Sequence, residues 1–122
     1  MGDPRHDLGL AAEAAVAGWL TSAGWQIVER RARSPTGGEV DLVAIDPHRT
    51  LVAIEVRARR TGRTGEAAVT VDARRVARLG RTLATIAASG GHPHRGLRVD
   101  LVTVEPSQEP GRWRLARVPG VG

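Results

Sequence analysis

Gly38-Glu39-Val40-Asp41-Leu42-Val43 and Val52-Ala53-Ile54-Glu55-Val56-Arg57 are the two stretches that decide how this chain reads. Each is an apolar, strand-like run with carboxylates set into it. An ionised group taken out of water costs several kcal/mol unless it is paired, hydrogen-bonded or bound to a cation. Acids in the middle of apolar strands therefore point to a site as well as to a fold. Side chains two apart on a strand share a face, which puts Glu39 with Asp41 and Glu55 with Arg57. Pairing of the two strands would bring three acids and one guanidinium together.

Working outward, Ser34-Pro35-Thr36-Gly37-Gly38 is a turn into the strand Glu39 to Ile45, and Asp46-Pro47-His48-Arg49 closes a hairpin onto the strand Leu51 to Arg59. The near-continuous apolar start of that third strand fits a central strand covered on both faces. Before the turn, Trp25 to Arg33 alternates as a strand. Leu8, Ala12, Ala15, Val16, Trp19 and Leu20 recur at helical spacing over Asp7 to Ala23, with Asp7 placed to cap the helix. Downstream, Asp72 caps a helix to about Ser89, with Val76, Leu79, Leu83 and Ile86 as its buried stripe. Arg74, Arg78 and Arg81 lie on the opposite face and Arg75 at the border. Val99 to Val104 makes a strand around Asp100, and Trp113 to Val118 an edge strand.

The order helix, three strands, helix, strand, strand predicts an α/β protein, a mixed central sheet flanked by helices. At 122 residues the chain is one domain, with about 1–6 and 119–122 expected to be flexible ends.

All 18 basic side chains other than histidine are arginine, and the net charge is +5, which favours polyanion partners. Phe and Tyr are absent and three Trp supply all the aromatic bulk, so base stacking on aromatic platforms is poorly supported. No run approaches the roughly 18 apolar residues of a membrane span, and no signal-peptide layout opens the chain. With no Cys there is no disulfide framework, thiol nucleophile or Cys-based metal site, consistent with a cytoplasmic protein. His92 and His94, in a Gly/Pro loop without neighbouring ligands, read as exposed.

An acid followed on the next strand by Glu-x-Lys is the pattern of the PD-(D/E)xK nucleases, here with Arg57 in the lysine position. More closely, the chain resembles the YraN-like family of small bacterial proteins with a restriction-endonuclease-like fold. The resemblance rests on Leu8-Gly9, Glu13, Trp19-Leu20, Gly24-Trp25, Ile27-Val28 and Arg33, then Gly38 to Ala44, Leu51-Val52 and Glu55-Val56-Arg57. It continues through Ala68-Val69, Arg75, Arg78-Leu79 and Arg98 to Val102.

The resemblance implies a nuclease-like core in which Asp41 and Glu55 hold Mg2+ or Mn2+, with Glu39 and Glu13 extending the acidic cluster. Arg57 stands beside the scissile phosphate, and Arg59, Arg60, Arg63 and Arg75 contact nucleic acid, DNA in the first instance. A homodimer follows if two strands are cut symmetrically. Arginine can offset transition-state charge but, with a pKa above roughly 12, cannot act as a general base. Three readings follow: a metal-dependent nuclease, a nucleic-acid-binding module without cleavage, and a scaffold docking on another DNA-processing protein. Plainer alternatives stand beside them. Glu39 and Asp41 would be solvated if they end an exposed strand, Glu55 and Arg57 could form a cross-strand ion pair, and Glu13 could be a solvated helix residue.

Overall fold

The computed structural model describes residues 4–35, 37–58 and 72–121. Helix α1 (Pro4–Ser22) leads into β1 (Gln26–Arg33), β2 (Glu39–Ile45) and β3 (Thr50–Ala58); α2 (Ala73–Gly90), β4 (Gly96–Pro106) and β5 (Trp113–Val118) follow. The five strands form one sheet in sequence order. Strands β1, β2 and β3 pair antiparallel, β3 and β4 parallel, and β4 and β5 antiparallel. Parallel neighbours need a crossover, and α2 lies within it. The mixed α/β sheet with flanking helices is the expected architecture. Among the described residues no helix is long and apolar enough to cross a membrane.

One helix covers each face. Ala12, Val16, Ala17 and Leu20 of α1 pack on Leu42, Ala44, Val52, Ile54, Val102 and Val104, together with Trp25. Leu79, Leu83 and Ile86 of α2 pack on Val40, Val43, Leu51, Ala53 and Val99. Alternate residues of β3 thus enter opposite cores, and Leu51 to Glu55 is a continuous buried run, as a central strand requires. Asp72 caps α2 by accepting from the Arg74 N–H at 2.9 Å, and Gly91 ends it in the left-handed conformation at φ 67°. Helix α1 differs from expectation: it already includes Asp7, which is therefore not its cap.

On β4, beside Ile54, the buried Asp100 is compensated on all sides. Arg98 donates to both of its oxygens at 2.7 and 3.0 Å, Arg117 at 2.9 Å and the Gly120 N–H at 3.0 Å. Arg98 also reaches Asp46 at 3.1 Å, whose other oxygen accepts from the His48 and Thr50 N–H groups and shapes the β2–β3 turn. Both guanidiniums lie over the Trp25 ring, at 5.9 and 5.2 Å from its centroid. Through this network and a Val121 N–H bond to Val99, Gly120 and Val121 bond back to β4.

Candidate active site

The antiparallel ladder between β2 and β3 ends at the pair Leu42 and Ile54. Continued by two residues it would place Val40 opposite Val56. Instead, the Val56 N–H donates to Asp41 Oδ2 at 2.8 Å. The strand's alternation breaks here as well, because Val40 and Val43 both enter the α2 core while Leu42 enters the α1 core. A side chain has replaced the main chain as acceptor, and the strands part around a carboxylate.

Asp41 and Glu55 share a hydrogen bond, so the two acids form a pair. Burial, chiefly, pushes the Asp41 carboxyl up to about 7, and the negative charges of Glu55 and Glu13 add to it against the Val56 N–H bond. For Glu55, burial opposes ionisation but is outweighed. Hydrogen bonds from Arg75 and Asp41 and the charges of Arg75 and Arg57 hold its carboxyl below the usual range. The pair therefore holds one proton between its two carboxyls below about pH 7 and releases it as the pH rises through that value.

The cation engaging this pair comes from the helix. Arg75 forks onto Glu55, its Nε to Oε2 and its Nη2 to Oε1 at 3.0 Å, and that bond raises the pKa of the guanidinium further. Arg57, expected in the lysine role, lies 3.9 Å from Glu55 Oε2. Arg75, expected as a nucleic-acid contact, is thus the nearer counter-ion. Helix α2 presents it because Arg75 is four residues before Leu79, on the flank of the buried stripe.

The other expected residues are more dispersed. Glu39 lines the same cleft, but its half-exposed carboxylate faces Arg33 at 3.9 Å. Glu13 pairs with Arg31 at 3.3 Å and reaches Asp41 through its charge alone. Among the described residues no three or more acidic or histidine side chains gather as a metal-ligating group, so the convergence of three acids is not met. Arg59, Arg60 and Arg63 lie outside the described residues.

Gly37, Gly38, Glu39, Asp41, Arg75, Arg78, Leu79 and Thr82 line the cleft, about 340 Å³ in volume. The turn before β2 closes tightly on α2. A Cβ at Gly38 would stand 2.0 Å from Thr82 Oγ1, so only glycine allows the approach that forms the cleft wall. Sequence reading placed Arg78 on the helix face opposite the buried stripe. Its position three residues after Arg75, one turn along the same flank, is the signal that could have put it at the site.

Two carboxylate oxygen donors, one of them ionised, fit a hard divalent cation, since Mg2+ is usually held by one or two carboxylates with water and phosphate completing the shell. Asp41 and Glu55 would hold it. Fold and site together define a mixed α/β protein with a carboxylate pair and an arginine-rich cleft between its sheet and second helix.

The family model described as uncharacterised protein family UPF0102 matches residues 12–104. The chain belongs to this family, the YraN-like one its motifs resemble. It is 41% identical over 113 residues to the UPF0102 protein of Deinococcus radiodurans, covering 92% of this chain and 91% of that one. It is 42% identical to the Streptomyces coelicolor UPF0102 protein over 82% of this chain and 77% of that one. With the Corynebacterium efficiens relative the identity is 37%, over 96% and 93%.

Proposed function

We propose that the protein is a Mg2+-dependent nuclease acting on DNA. The observation that carries this reading is Asp41, a half-buried acid in the cleft whose pKa is pushed up to about 7 and whose partners are a backbone N–H and a second carboxylate. An arrangement that costs stability and lies in a cleft is what a functional site looks like. Asp41 and Glu55 hold the cation, and Arg75 and Arg57 face the substrate phosphate and offset its charge. Magnesium, when bound, activates water and neutralises charge developing on phosphorus.

A second reading, binding without cleavage, is favoured by one further observation. Both cations beside the pair are arginines, which stay protonated and supply no general base.

The test incubates purified protein with linear, nicked, flapped and four-way DNA in Mg2+ or Mn2+. Metal-dependent cleavage lost in Asp41→Ala is expected. Cleavage of none of these, or equal cleavage by the variant, overturns the nuclease reading. Cleavage gained by Arg57→Lys in an inactive protein that binds DNA establishes the second.

A further inference from the structure

The cleft does not stop at the carboxylate pair. A second cavity, about 560 Å³, is lined by Gly37, Gly38, Arg78, Arg81, Thr82 and Thr85. It shares Gly37, Gly38, Arg78 and Thr82 with the first, so the two make one continuous groove along α2. One wall is the glycine turn, which presents main chain, and the other is the helix flank with its arginines.

Arg78 and Arg81 are exposed, and neither guanidinium makes an ion pair or hydrogen bond among the described residues. Among the described residues, five acids that could have met these arginines are paired elsewhere: Glu13 with Arg31, Glu39 with Arg33, Asp46 and Asp100 with Arg98, and Glu109 with Arg112. The groove therefore carries uncompensated positive charge leading away from an acidic head.

We infer that this groove is the track for the sugar-phosphate backbone of one nucleic-acid strand, with Arg78 and Arg81 as its phosphate contacts beyond the carboxylate pair. The inference rests on the nucleic-acid reading above and adds the path. Guanidiniums suit phosphate because their planar fork bonds its oxygens in pairs. A carboxylate-bearing peptide entering at the head would compete with Glu55 for Arg75 and Arg57 and would bring no cation to bridge it to Asp41 and Glu55. A phosphodiester can share a divalent cation with them. At 1.5 Å per residue, Arg75 to Arg81 spans about 9 Å of helix axis, roughly two to three nucleotides of a stacked strand at 3.4 Å each. The lack of aromatic side chains in the groove makes the contact one with backbone and leaves sequence unread.

Binding of labelled single-stranded and duplex oligonucleotides is measured by anisotropy over a salt series. The buffer contains Ca2+, an oxygen-seeking cation suited to the same carboxylates. The proteins are wild type, Arg78→Gln/Arg81→Gln, and Arg114→Gln on the exposed far-edge strand β5. The double variant is expected to bind at least about tenfold more weakly at low salt, with its slope of log affinity against log salt reduced by about 1.4 for a single strand or 1.8 for a duplex. Arg114→Gln should match wild type. Wild-type binding that the double variant retains with the same slope overturns the groove assignment and leaves the nucleic-acid reading standing. Absence of wild-type binding to both oligonucleotides overturns the two together.

Discussion

Replacing Asp41 with asparagine should make the protein more stable, and by an amount that depends on pH. Asparagine imitates the protonated acid, because its oxygen can accept from the Val56 N–H and its amide can donate to Glu55. The native carboxyl, raised from 3.8 to about 7, keeps a proton that the unfolded chain has released. Stability therefore falls as pH rises across the window between those two values, because the native state binds more protons there than the unfolded state.

The full displacement corresponds to at most about 4 kcal/mol at 1.36 kcal/mol per pH unit. Water at the cleft mouth and the nearby guanidiniums screen the carboxylate, which brings the expected effect to about 2 kcal/mol. Glu55 works in the opposite direction and in a different range. Its lowered pKa adds stability above its unfolded value of 4.5, and that contribution is lost as pH falls below it. Urea unfolding across this range provides the assay. Asp41→Asn and wild type should coincide near pH ~4, diverge in favour of the variant up to pH ~7 and run parallel above. A variant less stable than wild type at the alkaline end, or profiles parallel throughout, would refute the reasoning that Asp41 is held at a cost.

Arg75→Gln removes the fork from Glu55 and leaves both of its oxygens to a cation. Calorimetric titration of Mn2+ without nucleic acid should show affinity raised by about tenfold, or 1.4 kcal/mol; weaker binding would mean that Arg75 organises the pair rather than competing for it. Gly38→Ala forces a Cβ to within 2.0 Å of Thr82 Oγ1 and should lower stability by about 1–3 kcal/mol. Adding Thr82→Ala removes that oxygen while the Thr82 Cβ stays 3.2 Å away, so the double variant should recover part of the loss. Additive urea midpoints in that cycle would show that the turn does not press on α2 as described.

Much of the fold was legible because it depends on local pattern. The 4-3 spacing of Leu79, Leu83 and Ile86, the Asp72 cap and the apolar run of β3 each imply their element without knowledge of its neighbours. The site was legible only in part. Period-two alternation put Glu39 and Asp41 on one face, but alternation fails where β2 leaves β3, and no local signal marks that departure. Spacing made Arg57 the partner of Glu55, yet Arg75, twenty positions away, forms the fork. Asp46 and Arg98, 52 positions apart, are a comparable case. Such pairings depend on where a helix lands on a sheet, and two arginines on different elements are equivalent until it does.

The two buried acidic clusters of this protein separate structure from function better than either does alone. Asp100 is fully buried and has two arginines and a backbone N–H on its oxygens. Every lone pair it withdraws from water is answered, as folding by itself requires. Asp41 is also withdrawn from water, but among the described residues no cation pairs with it, and its carboxyl leans on another carboxyl. The same chain has ample arginine for the task, and Arg78, on the wall of the same cleft, is left without an acid. A protein selected for stability alone would have joined those two charges. Leaving Asp41 without a cation of its own while Arg75 and Arg57 serve Glu55, with free guanidiniums a turn away, fits the proposed reading, in which a divalent metal and a phosphodiester arrive together from outside.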